Sequence, residues 1–369
     1  MIPSPTAERA RHLAAAAVPF RELLGPVAPD DLLGLVRAEL GHEDILDGFQ
    51  PHGRHLARAV APEVILHVVS GNTPHAGLQS LLRGLLLGSH NLCKRPAGNL
   101  VPELAAFRDA LPPELAARVE LSETLPDAWL ERADAAVVFG SDETVALLRR
   151  RFPPERTFLA HGHRVSLGLI LDDADGRSAD AAARAVSLFD QQGCLSPQGF
   201  YVRGDARAYA ARLAAALARR HATHPRAALP PGASAALAAW REEWRFRTAN
   251  DPEHHALWAS EGSTAWSVLY DGADPGFTPS PLYRTVVVKP LPADLRAALG
   301  PVRPYLSAVG LWPATRPWAD WLAAQHLGVS RLCPLEAMQT PPLTWHQDGL
   351  PPLAALVRWV DFEPDAPGA

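Results

Sequence analysis

The regular alternation of predicted strands and helices restricts the fold of this chain more than any other feature of its sequence. The first sixty residues are predicted to be helical, and the β-branched run EVILHVVSGNTP then predicts a buried strand that ends in a tight turn. LQSLLRGLLLG is typical of a helix that stops at Gly88, and HNLCKRP and ADAAVVFGS predict further strands. Because strands and helices recur at intervals of roughly 30 residues, the pattern predicts a parallel sheet with crossover helices.

Ligands are expected at one edge of this predicted sheet, because parallel α/β sheets bind them beyond the carboxyl ends of their strands. Gly71 and Asn72 follow one predicted strand, and Gly140 and Ser141 follow another, so both turns should lie at that edge. The sequence contains no Gly-x-Gly-x-x-Gly motif. Glycine spacing alone therefore predicts no dinucleotide site.

Composition and charge argue against several classes of partner. The chain has 369 residues and a formal net charge of -5, without a basic block long enough to follow a nucleic-acid backbone. Its apolar runs are shorter than the ~18–20 residues that span a bilayer, and its N-terminus lacks the pattern of a secretory signal. Three cysteines are too few for a disulfide framework. We therefore expect a cytoplasmic protein with no nucleic-acid partner and no membrane span.

Cys194 lies in the segment FDQQGCLSPQG, in a turn between Gly193 and a Leu-Ser-Pro sequence. Glycine permits unusual backbone angles and the close approach of a ligand, so a nucleophilic thiol is one interpretation. A small buried hydrophobe is the other. Asn72 also has two interpretations, because its carboxamide suits either a developing oxyanion or a hydrogen bond within its own turn. Lys94 follows a predicted strand and suits a ribose, a phosphate or solvent.

Paired histidines are the competing signal for chemistry. They occur as HGH at His161 and His163, as HATH at 221 and 224, and as EHH at 254 and 255. None has a cysteine or carboxylate partner at a zinc-binding spacing, and HATH lacks the glutamate of the His-Glu-x-x-His motif. The Gly-x-Ser-x-Gly turn of a serine hydrolase is also missing from the sequence. We therefore predict neither a metal site nor a serine hydrolase.

Four segments, SGNTP, NLCKRPAGN, VVFGSDETV and FDQQGCLSPQG, occur in this order and together resemble the aldehyde dehydrogenase superfamily. The cysteine loop, with RLCPLEAMQTPPLTWHQDG near the end, is more specifically similar to the LuxC-type acyl-CoA reductase family. The resemblance runs from about Leu32 to Trp359. It implies an aldehyde dehydrogenase-like α/β fold, with two parallel-sheet α/β domains and the active site in the cleft between them.

The resemblance also implies a division of the chain. Residues 1–164 would form N-terminal helices and an NAD(P)-binding α/β domain, and residues 165–335 a catalytic α/β domain that carries Cys194. Residues 336–369 would form a C-terminal segment that packs back on the body. A homodimer is compatible with the superfamily, in which sheet edges commonly pair.

The resemblance gives roles to individual residues. Cys194 becomes the nucleophile, and the oxyanion donors become its own backbone N–H and Asn72. His161 or His163 either activates the thiol or is a surface or turn histidine. The positions that the resemblance assigns to the cofactor are Ser70, Gly71, Lys94, Arg95, Ala97, Gly140 and Ser141.

Two departures from the superfamily pattern indicate what kind of member this chain is. Oxidising members carry a ribose-binding glutamate three residues after the lysine, where this chain has Ala97, and Arg95 lies nearby. Losing that carboxylate removes repulsion against a 2′-phosphate and favours NADPH. The general-base glutamate of oxidising members is also missing, because Ala160 or His161 stands near its position. A reductase gains from that loss, since activated water would destroy its acyl-enzyme.

The predicted function is NADPH-dependent reduction of a fatty acyl-CoA or acyl-carrier thioester to the aldehyde, through an acyl-cysteine. One alternative is a cysteine-dependent acyltransferase or thioesterase without redox chemistry. Another is a relative that reduces acyl phosphates. A catalytically silent scaffold that retains the fold is a third.

Overall fold

The computed structural model describes residues 4–98 and 100–364 of the chain. The chain divides into two compact units, with unit 1 comprising residues up to His163 together with those from Pro342 onward. Unit 2 is the intervening stretch, Arg164–Pro341. Among the described residues, none of the helices combines the length and apolar character that crossing a membrane requires.

The described residues contain the following elements. In chain order the strands are β1 (Gln50–His52), β2 (His55–Val60), β3 (Val64–Val68), β4 (His90–Lys94), β5 (Val119–Ser122), β6 (Ala135–Phe139), β7 (Thr157–His161), β8 (Val165–Ile170), β9 (Pro197–Val202), β10 (His255–Ala259), β11 (Ser267–Asp271), β12 (Thr285–Pro290), β13 (Leu306–Trp312), β14 (Arg331–Pro334) and β15 (Arg358–Phe362). The α-helices are α1 (Thr6–Ala17), α2 (Arg21–Leu24), α3 (Pro29–Leu40), α4 (Pro74–Leu87), α5 (Glu103–Asp109), α6 (Pro113–Ala116), α7 (Asp127–Arg132), α8 (Asp142–Arg151), α9 (Ser178–Ser187), α10 (Ala206–Thr223), α11 (Pro231–Asn250), α12 (Leu295–Ala298) and α13 (Arg316–Ala323). Short 3₁₀ turns cover Val18–Phe20, Leu188–Gln191, Gly300–Tyr305 and Leu335–Ala337.

Unit 1 is built on a parallel five-stranded sheet in the order β5-β4-β3-β6-β7. This confirms the predicted parallel sheet with crossover helices. The chain proceeds outward from β3 to β4 and β5 on one side, and then to β6 and β7 on the other. The strand order therefore reverses between β3 and β6, which is where an open α/β sheet leaves a crevice for a ligand at its carboxyl edge.

The prediction that the first sixty residues are helical is wrong for its last part. After α3, the chain forms β1 and β2, which pair antiparallel with each other. Strand β15 adds to the other side of β2, with Trp359 opposite Ala59. Strands this short depend on their partners, and β2 finds one of its two partners at the far end of the chain.

Helix α4 is enclosed on all sides in unit 1 and packs closely against β3 and β4. His67 of β3 lies between Ser80 Oγ (2.7 Å from Nδ1) and Asn91 Oδ1 (3.0 Å from Nε2). Burial lowers the pKa of His67 to about 4, so the ring is neutral at physiological pH. Gly84 faces this network, and a Cβ built there would overlap Asn91 Oδ1. Glycine therefore allows the helix to approach the sheet at this point.

Unit 2 contains a seven-stranded sheet in the order β10-β11-β12-β9-β8-β13-β14, in which only the β10–β11 pair is antiparallel. Phe200 and Val202 of β9 pack in a core cluster with α9 and α10. Tyr201, between them, packs in the opposite cluster with α12 and α13. Because both faces of the central strands are covered, these strands are continuously apolar, as parallel strands usually are.

We expect Gly84→Ala to destabilise the protein by about 1–3 kcal/mol, because the added methyl group must displace Asn91 from a packed network. Gly34→Ala is the matched control, since Gly34 lies within α3 and a Cβ there meets no atom within 4 Å. This control should stabilise the protein by up to about 1 kcal/mol through helix propensity. Urea-unfolding midpoints measure both effects, and equal stabilisation by the two substitutions would contradict the close approach at Gly84.

Candidate active site

Cys194 follows the 3₁₀ turn Leu188–Gln191 and leads into β9, so it lies at the amino edge of the unit 2 sheet. Its side chain is half-buried. Cys93, inside β4, and Cys333, in β14, are both buried. Burial raises the pKa of each of these two thiols above its ordinary value. Of the three cysteines, Cys194 therefore has the surroundings that best suit a reactive thiol.

The backbone around Cys194 contains two short left-handed segments. Phe189, Asp190 and Gln191 have φ angles of 54°, 49° and 65°. Leu282, Tyr283 and Arg284, which precede β12, have φ angles of 66°, 54° and 63°. Each non-glycine residue in this region costs roughly 1–2 kcal/mol, so neighbouring contacts must hold both segments in place.

Gln191 supplies the main contacts between these two segments. Its buried side chain accepts a hydrogen bond from Thr285 N (2.8 Å) and donates to Thr285 O (2.8 Å) and Pro197 O (2.9 Å). Beside it, Asp190 Oδ1 accepts from Arg284 Nε (2.8 Å) and pairs with Arg284 Nη2 (2.6 Å). The Gln191 amide thus fastens the turn before Cys194 both to the start of β12, at Thr285, and to the start of β9, at Pro197.

Two further side chains anchor the cysteine loop from the other side. Ser166 Oγ donates to Cys194 O (2.7 Å) and accepts from Ala308 N (3.2 Å). Gln339 Nε2 donates to Ser196 Oγ (2.6 Å). No sequence pattern indicated Ser166 or Gln339, although Gln191 and Gln339 both stand within segments that resemble the LuxC type. A loop held on both sides of the cysteine fixes the direction of its backbone groups.

Most of the other predicted site residues lie at the carboxyl edge of the unit 1 sheet. Ser70, Gly71 and Asn72 follow β3 and precede α4, and the side chain of Asn72 is exposed. Gly140 and Ser141 follow β6, and Ser141 Oγ caps α8 by accepting from Thr144 N (3.3 Å). The two turns flank the point where the strand order reverses. The turn after β6 also presents the N-terminus of α8, whose first turn carries the acidic residues Asp142 and Glu143.

Lys94 and Arg95 end β4 at the same edge, where Arg95 meets an acidic residue that the sequence did not indicate. Arg95 Nη2 lies 3.2 Å from Glu123 Oε1, and Glu123 Oε2 accepts a hydrogen bond from Gly98 N (3.3 Å). Glu123 follows β5, while Gly98 adjoins the exposed Ala97. The carboxylate of Glu123, from the segment after β5, thus stands close to Ala97.

His161 ends β7 and forms a close pair with a carboxylate from the C-terminal part of unit 1. Its Nδ1 lies 2.7 Å from Asp348 Oδ2, with both side chains largely buried. The imidazole stacks on Phe139, with ring centroids 4.7 Å apart and an interplanar angle of 16°. Asp348 stands in the WHQDG segment, but its pairing with His161 was not predicted. With Nδ1 facing a carboxylate, Nε2 is the nitrogen left to accept a proton.

The described residues contain no group of three or more His, Cys, Asp or Glu side chains arranged to hold a metal ion. The histidines at 254 and 255 instead face Asp251. His224 Nδ1 bonds Thr223 Oγ1 at 2.8 Å. These histidines, which the sequence pattern raised as possible metal ligands, thus contact neighbouring side chains.

Comparison with known proteins identifies related sequences along most of the chain. Residues 6–359 match the family model described as acyl-CoA reductase (LuxC). The long-chain acyl-protein thioester reductase of Photorhabdus luminescens is 29% identical over 188 residues, which cover 47% of this chain and 38% of that protein. The corresponding enzyme of Aliivibrio fischeri is 27% identical over 186 residues, covering 47% and 39%. The chain thus spans about two-fifths of the length of these relatives.

Solved structures of aldehyde dehydrogenases share the fold. A benzaldehyde dehydrogenase from Corynebacterium glutamicum superposes with a TM-score of 0.64 at 15% identity, covering 98% of this chain and 86% of that one. An indole-3-acetaldehyde dehydrogenase from P. syringae gives a TM-score of 0.68 at 13% identity, covering 97% and 84%. The prediction of an aldehyde dehydrogenase-like α/β fold with two parallel-sheet domains is therefore confirmed.

The burial of the three thiols predicts their order of reaction with an alkylating agent. In native protein, iodoacetamide should modify Cys194 first, because burial keeps Cys93 and Cys333 both inaccessible and protonated. In urea all three should react at similar rates. Peptide mapping by mass spectrometry measures the order. Labelling of Cys93 or Cys333 ahead of Cys194 in the folded protein would contradict the assignment of Cys194 as the reactive thiol.

Proposed function

The chain belongs to the LuxC-type acyl-CoA reductase family, and from this premise we propose that it reduces an acyl thioester to the aldehyde with NADPH. The intermediate is an acyl-cysteine at Cys194. The observation that carries the proposal is the setting of this thiol, half-buried in a strained loop whose backbone is anchored by Gln191 and Ser166. Strained backbone held by its surroundings is common where a reacting group must be positioned.

The first step is transfer of the acyl group to Cys194. The thiolate attacks the thioester carbonyl, a bond forms between Sγ and the acyl carbon, and the bond from that carbon to the carrier sulfur breaks. The Cys194 backbone N–H and the Asn72 carboxamide donate to the oxyanion in this proposal. Removing one such donor typically lowers turnover about 10²–10³-fold. The carrier leaves as a thiol once it has received a proton.

His161 is the proposed carrier of that proton. Its Nε2 takes the proton from the Cys194 thiol and returns it to the departing thiolate. Asp348, bonded to Nδ1 at 2.7 Å, orients the ring, as the carboxylate does in other histidine–carboxylate pairs. The stacking of His161 on Phe139 limits rotation of the imidazole. These contacts support a positioned base over a solvated histidine.

The residues at the carboxyl edge of unit 1 fit a phosphate-bearing dinucleotide. Backbone N–H groups at the N-terminus of α8 can donate to a phosphate beside the acidic residues of its first turn. Lys94 and Arg95 add positive charge at the end of β4, where Glu123 pairs with Arg95. NADPH, when bound, supplies the hydride that reduces the acyl carbon. The residues we assign to its binding are Ser70, Gly71, Lys94, Arg95, Ala97, Gly140 and Ser141. Cys194 then releases the reduced carbon as an aldehyde and regains its thiol proton.

Reduction is favoured over hydrolysis by what surrounds Ala160. Oxidising aldehyde dehydrogenases need a base that activates water at this stage, and Ala160 cannot act as one. We propose that, without a carboxylate base at this position, the acyl-cysteine reacts with hydride faster than with water. We infer that release of free fatty acid is slow compared with release of aldehyde.

We expect Cys194→Ala to abolish formation of an acyl-protein adduct with a long-chain acyl-CoA, because the atom that carries the acyl group is removed. Cys333→Ala is the matched control and should still form the adduct. Intact-protein mass spectrometry measures it, and the loss of NADPH absorbance reports the reduction. An adduct that persists in Cys194→Ala would refute the proposal. An adduct without NADPH consumption would favour an acyltransferase or thioesterase, and reaction only with acyl phosphate would favour a relative that reduces acyl phosphates.

Cofactor preference should depend on the Arg95–Glu123 pair. NADPH should bind more tightly than NADH, and Arg95→Ala should weaken NADPH binding by about tenfold while leaving NADH binding nearly unchanged. Glu123→Gln should act in the opposite direction, because it removes a negative charge that repels a 2′-phosphate. Fluorescence titration of the two cofactors measures these affinities. Tighter binding of NADH by the unmodified protein would overturn the assignment of NADPH.

A further inference from the structure

An arginine cluster borders the cysteine loop within unit 2. It consists of Arg184 on α9, Arg220 near the end of α10, Arg226 in the following loop and Arg284 before β12. Their charges act on one another: the pKa of Arg220 is lowered first by burial and then by Arg184 and Arg284. The pKa of Arg226 is lowered mainly by burial, with Asp190 opposing the effect and Arg284 adding to it. Arg284 is fixed against Asp190 and the His224 backbone, Arg220 and Arg226 lie within range of its charge, and the exposed Arg184 lies within range of Arg220.

The hydrogen bonds of the cluster leave several of its N–H groups unused. Arg284 is fully engaged, because it pairs with Asp190 and donates from Nη1 to His224 O (2.7 Å). Arg226 uses Nη2 to reach Thr264 Oγ1 (3.2 Å). In contrast, Arg226 Nε, Arg226 Nη1 and Arg220 Nε are buried and donate to no atom of the described residues. Buried guanidinium donors without a partner are costly.

The charge of the cluster is equally unbalanced. Asp190 is the carboxylate that pairs with Arg284 and whose charge acts on Arg226. Among the described residues, the ion pair of the cluster is that of Asp190 with Arg284, so one carboxylate offsets one of four guanidinium charges. An anion with several oxygens would both balance the remaining charge and accept hydrogen bonds from the unused N–H groups, and phosphate matches the forked geometry of arginine best.

The cluster lies close to the candidate nucleophile along the chain and in space. Asp190 is four residues before Cys194, so their Cα atoms are at most about 14 Å apart. The bonds from Gln191 to Thr285 bring Arg284 against the same turn. A phosphate held here would therefore be within the reach of a long, flexible arm whose other end carries a thioester at Cys194.

We propose that the arginine cluster binds phosphate on the pantetheine arm of the thioester substrate. The proposal rests on the function proposed above, since that function supplies the thioester. Two carriers share this chemistry: coenzyme A, which has a diphosphate and a 3′-phosphate, and a carrier protein, whose phosphopantetheine has one phosphodiester. The arm places its sulfur at Cys194 while the cluster holds the phosphate end.

The test compares acyl transfer to Cys194 from an acyl-CoA and from the corresponding acyl-pantetheine, which has no phosphate. In Arg226→Ala, the acyl-CoA concentration that gives half-maximal acylation should rise about 10- to 100-fold, while that of acyl-pantetheine should stay within about twofold. Arg226→Lys should show an intermediate effect, because lysine keeps the positive charge but lacks the paired N–H donors of the guanidinium group. Arg219→Ala is the matched control. Arg219 adjoins Arg220 on α10, but it is exposed and paired with Asp180 (2.7 Å), so neither substrate should be affected.

Equal effects of Arg226→Ala on both substrates, or no effect on either, would overturn the proposal while leaving the acyl-cysteine chemistry intact. Failure of the unmodified protein to acylate with any thioester would instead refute the proposed function. An acyl-carrier protein as a third substrate separates the two sources. If Arg226→Ala weakens acylation from the acyl-carrier protein as much as from acyl-CoA, the site binds the phosphodiester of the carrier arm. If it weakens acylation from acyl-CoA alone, the site binds the nucleotide phosphates.

A binding measurement avoids any effect of the arginine substitutions on folding. Calorimetry with Cys194→Ala protein should show that CoA binds at least about tenfold more tightly than pantetheine, with an advantage that falls as salt concentration rises. Equal affinities for CoA and pantetheine would also overturn the proposal.

Discussion

The side chain of Gln191 is the contact on which the geometry around Cys194 depends. One buried amide joins the turn before the cysteine to the residue that begins β12, and it satisfies a backbone N–H and two carbonyl groups in doing so. Neither left-handed segment would be stable alone, because each contains three residues that disfavour this conformation. Gln191 and the Asp190–Arg284 pair hold them together. The irregular backbone also extends beneath the loop, where the pairing of β8 with β9 shifts register between Ser166 and Gly168.

The elements that the sequence predicted well are those with a strong local signal. The run from Glu63 to Pro74 predicted a buried strand and a turn, and both are present as β3 and the start of α4. The glycine stop at Gly88 is also present, with the left-handed φ of 84° that a helix end favours. Strands β1 and β2 were missed because their apolar pattern is short and their pairing with β15 is set by chain packing.

The candidate site was predictable only where one short segment carries the whole signal. Cys194, Asn72 and Ser141 stand in recognisable turns, and their places at strand ends follow from the alternation of strands and helices. Glu123, Asp348 and the arginine cluster were not predictable, because the contacts that indicate a role for them are made with residues on other elements. Arg284 is 94 residues from Asp190 in the sequence, and Asp348 is 187 residues from His161. Residues so far apart in the sequence form no local pattern from which their contact could be predicted.

Cys194 lies at the amino edge of its sheet, and this leaves the opposite edge of unit 2 without an assigned chemical task. The connections there follow β8, β9, β12 and β13, and their exposed parts include the stretches 174–177, 203–205, 293–294 and 314–315. Insertions and deletions in these connections should be tolerated, because surface loops carry little of the packing. A tag, a tether or a fused domain can therefore be introduced on that side with the least disturbance to the thiol.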